Sequence, residues 1–110
     1  MGGGIVIKYN ASLSYCTDGV SAAIFRKGCE KAGAANQTYY NRADLPGGST
    51  LGRISLGKVS VPTVDIGLPQ LAMHSCYETA AAADAIALEE AMAAFYGCSL
   101  EETGNGWTLK

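Results

Sequence analysis

Ile5-Val-Ile-Lys-Tyr9 is a compact β-branched run, the composition of a pleated, half-buried strand. The segments after this strand decide the fold. Thr17 or Asp18 can cap a helix in which Val20, Ala23 and Ile24 keep the i, i+3, i+4 rhythm, Lys27 to Ala32 carry on, and Gly33 stops. Gln37-Thr-Tyr-Tyr-Asn41, rich in Thr and aromatics, reads as a second strand. A turn-rich segment, Ala43 to Thr50, leads into a short helix ending near Gly57. Val61 to Ile66 read as the third strand, stopped by Gly67 and Pro69. Asp84 is the expected cap of a last helix with Ile86, Leu88, Met92, Phe95 and Tyr96 as its apolar bulk and Gly97 as its end. The order βαβαβα predicts an α/β fold, a three-stranded sheet with flanking helices. So thin a sheet looks like the later half of a larger domain. Residues 1–4 read as a flexible leader, 5–97 as the partial domain and 98–110 as a tail, loose or docked through Trp107.

The chain has 110 residues, enough for one small core. Charged residues make up only 16% and hydrophobic ones 48%, so part of the surface is expected to face a partner, whether the rest of a larger protein or a second copy. Net charge is −2 with no basic stripe, which argues against nucleic acid as a partner. No apolar run approaches the roughly 18 residues of a membrane span. Cys16, Cys29, Cys76 and Cys98 form no C-x-x-C pair. With no signal peptide ahead of them, reduced thiols in a cytoplasmic protein are the expectation.

Chemistry concentrates in Pro69-Gln-Leu-Ala-Met-His-Ser75, which holds the only histidine, His74, just past the third strand. α/β proteins commonly place working groups in such a loop, although a lone His is often structural. His74 with Cys76 has H-x-C spacing without a second paired motif. Lys8 interrupts an apolar strand, so its ammonium either snorkels to the rim or meets an anion. Asp44-Leu-Pro-Gly-Gly-Ser-Thr50 sets Gly47, Gly48 and Ser49 at a helix start, either an anion cradle or a plain turn with Ser49 or Thr50 as cap. Glu89-Glu90 lies within a helix, where neighbours point about 100° apart, and reads as a solvated face.

Several segments together resemble the C-terminal part of the aspartyl aminopeptidase family of zinc metallopeptidases. They are Val6-Ile-Lys-Tyr-Asn10, Tyr15 with Thr17-Asp-Gly-Val-Ser21, Asn41 to Gly52, Val64-Asp-Ile-Gly67, and Pro69 to Ser75 with Glu78-Thr79 behind. The resemblance implies an exopeptidase with two zinc ions that removes N-terminal, acidic residues from peptide substrates. It implies that His74 is a zinc ligand, and that Lys8, Tyr15 and Met73 lie on the substrate side with Asp44, Gly47, Gly48 and Ser49. Lys8 would pair with a substrate carboxylate, and Tyr15 would donate to the carbonyl oxygen as it gains charge. The family's other ligands and its general base come from upstream of this part. The chain therefore holds no catalytic residue of its own and is not expected to retain zinc or hydrolyse peptides alone. Arg53, where the family tends to have proline, and Tyr77, where an arginine usually comes next, depart from the pattern. A decayed, non-catalytic assembly module is the alternative.

Overall fold

The computed structural model describes residues 1–10, 15–46 and 48–110. Its organising strand is β1 (Ile5–Tyr9), lying between β2 (Asn36–Tyr40) and β3 (Ile66–Gly67) in a three-stranded sheet of order β2-β1-β3. β1 runs parallel to β2, with Ile7 opposite Thr38. It runs antiparallel to β3, with Val6 opposite Gly67. The parallel pair needs a crossover, supplied by α1 (Gly19–Ala32). Asp18 and Ser21 form a capping box at the start of α1, and Gly33 ends it in the left-handed conformation at φ 67°. A cap of this kind contributes about 1 kcal/mol.

Alternation along β1 separates two environments. Ile5, Ile7 and Tyr9 face α1 and α3 (Ala82–Tyr96), joining a core with Ala22, Phe25, Cys29, Ala34 and Ala91. Phe25 and Phe95 tie the two helices together, their ring centroids 6.2 Å apart. Full burial of an Ile or Phe side chain stabilises by about 1.5–3 kcal/mol, so this face holds most of the fold's stability. Val6, itself buried, and Lys8 point the other way and line a concavity.

Several boundaries differ from the sequence expectation. The third strand is only Ile66–Gly67, not Val61 to Ile66. Pro62 has no N–H to give, and the Asp65 N–H is donated to the Thr17 hydroxyl at 2.7 Å instead of to a ladder. Gly67 belongs to the strand instead of stopping it. The second strand starts one residue earlier, at Asn36. Thr50 does precede α2 (Leu51–Leu56), but its side chain makes no cap bond. Asp84 does not cap α3; Ala81 holds that place, and Asp84 sits in the first turn, 1% exposed.

The Asp84 carboxylate instead accepts from the N–H groups of Gly2 at 2.8 Å and Gly4 at 2.9 Å, so the segment read as a leader is fastened to the helix. Gly4 has φ 88°, and a Cβ there would lie 2.1 Å from the Ala35 carbonyl oxygen. Only glycine fits that approach. The tail forms a hairpin of β6 (Leu100–Glu102) and β7 (Trp107–Leu109) beside α1.

Candidate functional site

The site's geometry starts from the polar side of β1. Lys8 leaves the strand past Gly67, where a Cβ would lie 2.9 Å from the lysine Cε and 3.0 Å from Nζ. The missing side chain at Gly67 is thus the path of the ammonium, which lies over the Tyr15 ring at 5.7 Å from its centroid. That contact is worth about 0.5–1 kcal/mol at an exposed site. Desolvation, then the neighbouring Tyr39 and Asp65, push the Tyr15 phenol above its ordinary pKa. A phenol is protonated at neutral pH in any case and can donate a hydrogen bond; the shift extends that state to higher pH.

Three further segments close around this pair. Gly48, Ser49 and Thr50 supply one stretch of the pocket lining. Leu68 to Gln70, leaving β3, supply another. The loop joining β4 (Gln70–Leu71) to β5 (Thr79–Ala80) brings Met73 and His74 to the rim. Together with Val6, Lys8 and Tyr15 they line a concavity of about 540 Å³, the size of many small-ligand sites.

His74 is solvent-exposed and has φ 69°, and Ala72 has φ 52°. Left-handed conformations at non-glycine residues cost roughly 1–3 kcal/mol each and cluster at functional sites. Two local bonds hold the loop in this shape: the Ser75 N–H donates to the Ala72 carbonyl at 3.0 Å, and the His74 N–H donates to the Glu78 carboxylate.

Of the residues singled out in the sequence, Lys8, Tyr15, Gly48, Ser49, Met73 and His74 meet at this one concavity. Asp44 does not line it; its carboxylate pairs with Arg42 at 2.6 Å, both side chains well exposed. Gly47 lies outside the described residues. An anion cradle at the start of α2 gains no support, because Asp65 already places a carboxylate against the Thr50 hydroxyl at 2.6 Å.

Sequence reading gave Asp65 no role beyond a family match, yet it is the buried hub behind the pocket. Its partners Cys16 and Thr17 are 49 and 48 residues away in the chain, so spacing carries no signal of it. A second concavity, about 580 Å³ between α1 and the tail hairpin, contains none of the predicted site residues.

Zinc, the cofactor that the sequence reading implies, needs three or more protein donors around one point. Among the described residues no group of three His, Cys, Asp or Glu side chains is so placed. What the described residues present at the concavity is one exposed imidazole, His74. Cys76, two residues on, is an exposed free thiol. Among the described residues no helix is long and apolar enough to cross a membrane.

Comparisons with known proteins bear on the family and the fold. Residues 1–96 match the profile of the aminopeptidase I zinc metalloprotease (M18) family. The chain is similar to the probable M18 family aminopeptidase 2 of Mycobacterium tuberculosis, 46% identical over 99 residues. That alignment covers 90% of this chain but 23% of the relative. The namesake protein of Pseudomonas aeruginosa is 41% identical over the same share of each chain. Among solved structures, a chain of the Ape4 and Nbr1 complex superposes at TM-score 0.82 and 32% identity, covering 86% of this chain and 18% of that one. The prApe1 structure is alike in fold at TM-score 0.80. The chain thus spans about a quarter of the length of the curated relatives it matches. It belongs to the aminopeptidase I zinc metalloprotease (M18) family.

Proposed function

We propose that this chain is the C-terminal portion of a zinc-dependent aminopeptidase that removes N-terminal, acidic residues from peptides. One observation carries the reading: Lys8, Tyr15, Ser49, Met73 and His74 converge on a single concavity on the open face of the sheet. In the complete enzyme His74 is one metal ligand, and the remaining ligands of two zinc ions, with the general base, come from the N-terminal portion. Bound zinc in such a site polarises the scissile carbonyl and acidifies its water. Lys8 receives the side-chain carboxylate of an N-terminal Asp or Glu, a charge-assisted contact. Tyr15, held protonated, donates to the carbonyl oxygen. Gly48 and Ser49 shape the wall. Four unpaired thiols suit a reducing, cytoplasmic setting.

Alone, the chain is inactive and does not hold zinc. The test is hydrolysis of an aspartyl anilide by the chain alone and after mixing with the N-terminal remainder of the Mycobacterium tuberculosis relative, with zinc measured in both. Zinc uptake and chelator-sensitive hydrolysis only in the mixture are expected. Chelator-sensitive hydrolysis by the chain alone overturns its incompleteness, and a mixture that takes up no zinc overturns the peptidase reading.

The second reading, a non-catalytic assembly module, draws on apolar side chains left uncovered around α2: Leu51 is 79% and Ile54 66% exposed, with Val59 and Val61 beside them. Patches of this kind mark interfaces. A zinc-free, stable oligomer in light scattering, unchanged by the remainder, favours the module.

A further inference from the structure

We propose that Asp65 is the positioning residue of the pocket, its buried carboxylate fixing the wall that carries Tyr15 against the wall that carries Ser49. The hub has four arms. Asp65 Oδ2 accepts the Cys16 N–H at 2.5 Å, and Oδ1 accepts the Thr50 hydroxyl at 2.6 Å. Its own carbonyl accepts the Lys8 N–H at 2.9 Å, and its N–H is donated to Thr17. One residue, 8% exposed, therefore joins the residue after Tyr15, the residue after Ser49, and the backbone of Lys8.

Among the described residues no Lys or Arg forms an ion pair with this carboxylate. A buried carboxylate held only by neutral donors depends on every one of them. The surroundings are also tight: a Cβ on Gly52 would lie 2.8 Å from Cys16 Sγ and 3.4 Å from Asp65 Oδ2. Both walls are bonded to Asp65, so separating them breaks one of these bonds. In the aminopeptidase reading, on which this consequence alone rests, Asp65 acts on substrate only through Tyr15 and Ser49. Its charge also helps keep the Tyr15 phenol protonated.

Two native thiols report on the proposal without any activity. Cys16 sits against the hub, partly buried, whereas Cys29 is in the core between the helices and sheet. Iodoacetamide labelling of the full chain, read per cysteine by mass spectrometry, compares wild type with Asp65→Asn and the milder Thr50→Val. Burial first, then the Asp65 charge, push the Cys16 thiol up, so Asp65→Asn also speeds its labelling by removing that charge. The deciding variant is Thr50→Val, which keeps the charge. There, loss of a hydrogen bond to a charged group should speed Cys16 labelling about tenfold while Cys29 keeps its rate. Equal acceleration of both thiols, in both variants, means a merely structural role and overturns the proposal; so does a Cys16 unchanged in Thr50→Val.

The mixture with the N-terminal remainder then reads the consequence. Asp65→Asn should lower kcat for the aspartyl anilide about tenfold at unchanged zinc content. A lowered zinc content with unchanged kcat per zinc refutes action through Tyr15. A wild-type mixture without zinc or activity sinks the aminopeptidase reading and leaves the thiol result standing.

Discussion

β1 has one sealed face and one open face, and they are built by different means. On the helical side, Ile5 and Ile7 are fully buried and held by packing with Phe25, Cys29 and Ala91. On the other side Lys8 and Tyr15 line a concavity. Asp65 accepts the Lys8 N–H and the N–H of Cys16, the residue after Tyr15, and a glycine leaves room for the lysine. Apolar packing tolerates no gap but needs no particular partner atom. The polar face tolerates gaps and depends on named atoms. Changes on the first should therefore appear as lost stability, and changes on the second as lost geometry.

The largest expected effect breaks the sealed side at its corner. Gly4→Ala forces a Cβ toward the Ala35 carbonyl and strains a left-handed φ, so the β1–β2 seam must open. The expected loss is about 3 kcal/mol or more, and at about 4–8 °C per kcal/mol the melting temperature drops by 10 °C or more. A variant melting near wild type would show that the strand entry can shift without cost.

Asp84 offers the next test, by pH. Its pKa is lowered from the ordinary 3.8 by the Gly2 N–H first, then by the Gly4 N–H and the terminal amine, against the opposing effect of burial. Because the folded value lies below the unfolded one, this contribution is fully present above the unfolded pKa. It is lost as pH falls through the folded pKa. Thermal melts of wild type should therefore fall steeply below about pH 4. Asp84→Asn should melt lower at pH 7 and show a flatter acid limb; parallel curves would place the acid sensitivity elsewhere.

The sealed side was also the more legible in sequence. Ile5 and Ile7 alternate, Asp18 and Gly33 bracket a helix of regular apolar rhythm, and each signal acts through its nearest neighbours. Asp84 escaped because the same residue type caps helices and anchors distant backbone, and its partners lie 80 and 82 residues away. The tail hairpin escaped for a related reason. Leu100-Glu-Glu102 has no strand pattern of its own and pairs because the turn around Gly104 and Gly106 brings Trp107 to Leu109 back alongside. At the pocket, Lys8 stood out as a charge in an apolar run and His74 as the single imidazole. Asp65, which orders the walls around them, did not, since a buried hub is defined by contacts that no local spacing encodes.

Gly67→Ala tests the open face at lower cost. The added methyl meets only the end of the Lys8 side chain, which is free to swing away. Stability should change by less than about 1 kcal/mol, while the Lys8–Tyr15 contact is lost. In the mixture with the N-terminal remainder, preference for aspartyl over alanyl anilide should fall about tenfold, the value of one charge-assisted contact. Equal loss on both substrates would mean that the lysine serves the fold of the pocket and not the choice of substrate.

The smallest effect belongs to Asp44, and it sharpens the division. Asp44 and Arg42 form a close pair in the same turn region as Ser49, with side chains 64% and 72% exposed. Exposed pairs contribute about 0–1 kcal/mol, since water screens the charges and both side chains lose freedom. Arg42→Ala should therefore leave the melting temperature within about 2 °C of wild type. Asp44→Asn should behave alike and alter aspartyl anilide turnover less than about twofold, because its carboxylate is held by Arg42 away from the concavity. A larger change in turnover at unchanged stability would show that the loop swings inward on the substrate, and that the open face owes part of its shape to the occupant and not to Asp65.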